Sequence, residues 1–188
     1  MKKRNLFIFS IIFIIFISWL IILYHYSPEK IVEKVGVSNV YLVLGLMALI
    51  GGTSIFLPIP YYLLTISLGA AGLNPFLLGI CAGVGTLLGD TTSYYIAYKG
   101  REIVPKKHSI FFQRIFDWAV KKNPIRVQIF TFLYTAIVPF SDDLIMVPAG
   151  VIKYPFWKLA ISAGLGKIVF NTILAFSGLY GFSLFFIK

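Results

Sequence analysis

Sliding this chain along itself by 81 residues superposes Pro58 on Pro139, Gly69 on Gly150, Gly83 on Gly164, Gly85 on Gly166 and Gly100 on Gly181 without a gap. Over residues 58 to 100 the identities fall at 58, 63, 69, 78, 80, 82, 83, 85, 91 and 100. Proline and glycine dominate them, so what repeats is backbone geometry. The chain is therefore expected to fold as two copies of one unit, repeat 1 over about 38–100 and repeat 2 over about 126–188, joined by a linker over 101–125. The segment 1–37 stands apart as an anchor.

What kind of unit follows from residues 134 to 154, YTAIVPFSDDLIMVPAGVIKY. Two adjacent carboxylates, Asp142 and Asp143, are expensive in hydrocarbon, and Pro139 and Pro148 each remove a backbone donor. Such a segment must be broken and shielded by protein or water. It reads as a re-entrant helix, break and helix, with Ser141 or Asp142 capping the second arm. The alternative is that the aspartates serve only as caps. Residues 39–73 repeat the design, apolar but interrupted at Gly51-Gly52 and at Pro58 and Pro60. Pro58, Pro60, Gly69, Pro139, Pro148 and Gly150 are the expected hairpin-breaking residues.

With 59% hydrophobic and 13% charged residues and a mean hydropathy of +0.88, the chain lies outside the soluble range. The net charge of +10 flanks apolar runs, where it sets topology, and nucleic-acid binding is rejected. The lone Cys81 excludes a disulfide framework and a thiolate metal cluster. The uncharged run from Leu6 to Tyr24 is long enough for a first transmembrane helix, retained rather than cleaved, with the amino terminus cytoplasmic. A short interfacial helix is expected over 27–36. Asn74-Pro75 starts a long helix to about Tyr98, whose Gly79, Gly83, Gly85 and Gly89 favour close helix packing. A last helix runs from about Phe156 to Phe186. Between them, residues 99 to 126 carry eight basic and two acidic side chains, placing this loop inside. Its middle is patterned as an amphipathic helix whose Lys106, Lys107, Arg114, Lys121 and Lys122 would meet anionic headgroups.

Depth singles out one more pair. Asp90 lies ten residues from Gly100 and Lys167 nine from Lys158, so at ~1.5 Å per residue both stand at one level. A buried charge is tolerable when paired, so Asp90 and Lys167 are expected to touch beside the substrate path, with hydrogen bonds from Thr91 or Asn171. With Asp142, Asp143 and Asn171 they are the candidate substrate or proton path.

The pieces PIPYYLLTISLGAAG, LLGDTTSYYIAYKGRE and VPFSDDLIMVPAGVIKYPFWKLAISAGLGK resemble the DedA or SNARE-associated Golgi (VTT-domain) family, over roughly residues 40 to 182. The Asp-Asp variant looks closer to archaeal members. The resemblance implies two facing re-entrant hairpins and movement of phospholipids or polyprenyl-phosphate carriers between leaflets, with proton coupling in some members. Two positions depart from the common bacterial pattern. Tyr62 stands where an acid is usual, and Ala136 and Asp142 stand where arginines are usual.

The expected fold is thus an all-α integral membrane protein: an inverted repeat of two re-entrant helical hairpins, each followed by a transmembrane helix, plus an N-terminal transmembrane helix. The expected function is transport at the plasma membrane, with membrane lipids as partners, a homo-oligomer allowed, and no cofactor or metal. An ion- or proton-coupled small-solute carrier is the alternative. Neither HExxH nor Gly-x-Ser-x-Gly is present, and His25 and His108 take no role. An intramembrane aspartyl protease pairing Asp90 with Asp142 or Asp143 and a passive scaffold rank lower, so no enzyme is expected.

Overall fold

The computed structural model describes residues 33–53, 61–100, 124–138 and 142–186, with Ile110 and Arg114 from the intervening linker. The expected helix over 6–24, most of the interfacial helix, Pro58, Pro60, Pro139, Ser141, Lys106, Lys107, Lys121 and Lys122 lie outside the described residues. Ile110 and Arg114 are both helical and exposed.

The main elements among the described residues are α1 Val37–Thr53, α2 Tyr61–Ala70, α3 Pro75–Gly100, α4 Pro124–Ile137, α5 Asp143–Val151 and α6 Phe156–Phe186. Among the described residues there is no strand. Asn74 starts α3 by accepting the Phe76 and Leu77 amides at 3.0 and 3.4 Å, with Pro75 in the first turn where its missing N–H costs nothing. The 81-residue shift maps α2 onto 142–151 and α3 onto 156–181. Both images fall on helices.

Four expected breaks are not breaks. Gly51 and Gly52 continue α1 to Thr53, and a Cβ at Gly52 would run into the Thr86 backbone. Pro148 sits inside α5, where only one i−4 bond is forgone, that to the carbonyl of the exposed Leu144. Gly69 and Gly150 lie within α2 and α5 and serve helix contact. The reversals come just after them, where Gly72 and Lys153 take φ of 79° and 58°. Leu73 and Gly72 amides bond the Leu68 and Gly69 carbonyls, and Tyr154 and Lys153 amides bond those of Ala149 and Gly150. The two αL helix ends are the same motif, 81 residues apart.

Packing follows the repeat. A Cβ at Gly83 would come within 2.8 Å of the Ile168 backbone, and one at Gly164 within 2.9 Å of Leu87. Since Gly164 is the image of Gly83 and Ile168 of Leu87, the contact is reciprocal, the mark of a two-fold relation. Along it Gly79 meets Thr172 while Gly83 meets Ile168. The partner number falls as the residue number rises, so α3 and α6 are antiparallel.

The shorter arms cross over. Gly69 of α2 packs on Ala175 of α6, and Gly150 of α5 packs on Tyr94 of α3, again images of each other. The two cores show the same exchange. Leu64, Leu68, Leu73, Leu78, Ala82 and Ala175 form one, and their images Ile145, Ala149, Tyr154, Leu159, Ala163 and Tyr94 form the other. Only the outer helices break register. Val40 of α1 corresponds to Val127 of α4, and Gly45 against Gly85 corresponds to Phe132 against Gly166, an offset of 87. Repeat 1 therefore has six more residues (87 against 81) between its outer helix and its short arm.

Direction can be read from the same contacts. Gly45 meets Cys81 whereas Gly52 meets Thr86, so α1 runs parallel to α3. Tyr62 meets Phe170 whereas Gly69 meets Ala175, so α2 runs parallel to α6. With α3 and α6 opposed, α2 must reverse the direction of α1.

A buried lysine between two aspartates

Lys167 lies in the first half of α6 and is 4% exposed. Its Nζ stands 2.5 Å from the carboxylate of Asp90, itself 4% exposed on α3. Its second partner is the Asp142 carboxylate, which accepts a hydrogen bond from the same ammonium. Three elements thus converge on one cation: the long helix of each repeat and the head of the second short arm. In so dry a setting each partner makes the others tolerable, because an ammonium taken from water needs both charge and acceptors.

Asp142 occupies the N-cap position of α5, yet its side chain caps nothing. Its backbone is already helical, at φ −70° and ψ −9°, and only its carbonyl serves the helix, accepting the Ile145 and Met146 amides at 2.9 Å. The carboxylate is committed to Lys167 instead. Asp143, next in the chain and half-buried, lies within electrostatic reach of Asp90 and Asp142.

The expected Asp90 to Lys167 contact is present, but its expected helpers point elsewhere. Thr91 Oγ1 donates to the Leu87 carbonyl at 2.8 Å, and Asn171 Nδ2 to the Lys167 carbonyl at 2.9 Å. Both bonds stay within the residue's own helix, the local alternative open to short polar side chains. Asn171 is nonetheless 1% exposed, and its Oδ1 has no hydrogen-bond partner among the described residues. Pro148, Gly69 and Gly150 lie within helices rather than break them, and the two glycines meet Ala175 and Tyr94. Arg114 is exposed, and the cation that the aspartates meet is Lys167.

Replacing each member of the charged triad by the residue 81 positions away gives a neutral set: Tyr61 for Asp142, Thr86 for Lys167, and Asn171 for Asp90. All three are buried, at 5%, 1% and 1% exposure. Thr86 Oγ1 bonds its own helix at Ala82 and Gly83, 2.9 and 3.0 Å away. Tyr61 and Tyr62 pack ring to ring with centroids 4.0 Å apart and lie within electrostatic reach of Asp90 and Asp142. Sequence reasoning misses these tyrosines as part of the site. The 81-residue register is the available signal, since it sets Tyr61 and Tyr62 on the two aspartates.

Chemically, the arrangement can hold a cation or exchange partners for one. An ammonium stands between Asp90 and Asp142, which is not the proton-sharing contact of an aspartyl dyad. Among the described residues, no three His, Cys, Asp or Glu side chains are placed to hold a metal ion.

Compared with known proteins, the chain matches the VTT domain over residues 59–180. No curated protein and no solved structure matches it. The matched range takes in both short arms, α3, most of α6 and every residue of the charged triad, and the chain belongs to the VTT-domain family, that of the DedA and SNARE-associated Golgi proteins.

Proposed function

We propose that this chain is an integral membrane protein that moves a lipid, a phospholipid or a polyprenyl-phosphate carrier, from one leaflet to the other, driven by protons through Asp142 and Asp143. The observation that carries the proposal is Lys167, buried between carboxylates drawn from both repeats. A charged group so placed in an apolar protein is a functional site by default. Length supports the membrane reading. Pro75–Gly100 and Phe156–Gly181 have 26 residues each, about 39 Å of helix against a hydrocarbon core of ~30 Å. The arms α2 and α5, with 10 and 9 residues, reach about half of it. They are the return arms of two re-entrant hairpins, and the two-fold axis between α3 and α6 lies in the membrane plane.

In this reading the basic linker lies on the cytoplasmic face of the plasma membrane, with Lys106, Lys107, Arg114, Lys121 and Lys122 against anionic headgroups, and the protein is not an enzyme. Purified protein in liposomes with fluorescent lipid in both leaflets tests it. Leaflet exchange is expected with the intact chain, rising with an imposed proton gradient and falling at least tenfold in Asp142→Asn and Lys167→Met. Intact leaflets accompanied by ion flux would instead make it a small-solute carrier.

A further inference from the structure

Helices α1 and α3 touch where Gly85 lies beneath the Gly45 carbonyl, too close for a side chain at Gly85. Beside that contact runs an apolar groove of about 460 Å³ walled by Leu42, Leu46, Ile80, Val84 and Leu88, with Cys81 on its side. The five wall residues are 44–64% exposed. From this geometry we infer that the groove seats this chain's own apolar run, Leu6 to Tyr24, as a third helix against α1 and α3. The inference rests on the membrane reading above but not on lipid transport.

Three observations choose this occupant. First, tether and location: the described chain begins at Glu33, four residues before α1, and α1 is itself one wall of the groove. The run is joined to that wall by residues 25–36 alone, so it is held at high effective concentration beside the groove. Second, shape: the run is Leu, Ile, Phe, Trp and Tyr throughout except Ser10 and Ser18. Bulky side chains meet small residues at Gly45, Cys81 and Gly85, the pairing by which helices pack in lipid. Third, the repeat supplies a control. Repeat 2 has Phe132 where repeat 1 has Gly45, and no apolar run of this kind precedes repeat 2.

Depth sets the register. Cys81 lies six residues into α3 from Pro75, about 9 Å. If the run is antiparallel to α1, as a short connection requires, six residues back from Tyr24 reaches Ser18. Cys81 is the chain's one cysteine, so cross-linking needs a single addition. Cysteines placed singly at 14 to 21, with Phe7→Cys as the distant control, are oxidised in membranes of the full-length protein carrying a protease site within residues 27–32. After cleavage, the expected result is fragments held together by a reducible link, strongest near Ser18, repeating at three- and four-residue spacing and at least fivefold above Phe7→Cys. Variants with wild-type elution on gel filtration are scored. Linkage no higher than the control at every position overturns the inference. So does a Cys81 to Cys81 dimer dominating all variants, which would give the groove to a second copy. Carbonate extraction of the same membranes tests the membrane reading separately, since release of the protein would fail that reading whatever the links show.

Discussion

The two repeats place equivalent backbones around opposite kinds of chemistry. In repeat 2 the head of the short arm presents Asp142 to Lys167, whereas in repeat 1 the same two positions hold the uncharged Tyr61 and Thr86. The close contacts are images of one another, Gly69 on Ala175 and Gly150 on Tyr94. What repeats is the set of positions where helices approach; what differs is what holds the arms once they are there. Both arms are held by packing at matching glycines, and the α5 arm is held in addition by an ion pair in a dry interior, for which the α2 arm shows no counterpart among the described residues. A charge pair has two separable partners, whereas packing does not, so the second arm is the one whose attachment can be switched by a proton or a competing ion.

The largest expected effect tests that asymmetry directly. Lys167→Met leaves Asp90 and Asp142 buried without their cation and should cost about 3–5 kcal/mol of stability. Its image, Thr86→Val, removes a hydroxyl bonded only to its own helix and should cost about 1 kcal/mol. Denaturant unfolding in mixed micelles, followed by tryptophan fluorescence, compares them. Equal losses would erase the distinction between the halves. Exchanging charges, Asp90→Lys with Lys167→Asp, sharpens it: the double variant should recover at least half of what either single change loses.

Symmetric effects are expected next, at the glycines. A Cβ at Gly69 or Gly150 would overlap a backbone carbonyl that cannot turn aside, of Ala175 and Tyr94 respectively. Gly69→Ala and Gly150→Ala should each cost about 1–3 kcal/mol by forcing helices apart, and by similar amounts. A difference between them larger than the effect itself would break the two-fold relation at the arms. The same micelle unfolding measures both.

Glycine and proline spacing carries most of the fold, because a close approach or a reversal admits few residue types and so leaves a mark in the sequence. That is why the 81-residue shift anticipates α2, α3, α5 and α6. Spacing misassigns Gly69 and Gly150 as breaks because glycine is demanded equally by a turn and by a helix contact, and only packing distinguishes them. It passes over Lys153 as a reversal because an αL site need not be glycine. At the site, helical depth is enough to pair Asp90 with Lys167, both on continuous helices whose rise is known. Asp142 is legible as polar but not as the second partner, since it precedes α5 and no helical periodicity ties it to Lys167. The slip of α4 to an offset of 87 is likewise hidden, the outer helices sharing too few glycines to register.

The smallest effect separates the two helix ends that are otherwise alike. Gly72 and Lys153 fill the same αL position, and each donates its amide to a carbonyl three residues back, at 3.0 and 3.1 Å. For a residue with a Cβ this conformation costs about 1–2 kcal/mol, whereas glycine accepts it freely. Gly72→Ala should therefore destabilise by about 1 kcal/mol, and no side chain obstructs it, since a Cβ there meets nothing within 4 Å. Lys153→Gly should move the other way, by less, because the relief is partly offset by the greater freedom glycine gains in the unfolded chain. A net gain of about 0.5 kcal/mol is expected. Lys153 is exposed, so little packing is lost with its side chain. Should Lys153→Gly destabilise instead, the lysine side chain must contribute more than its backbone strain costs, and the two ends would differ in chemistry as the two arm heads do.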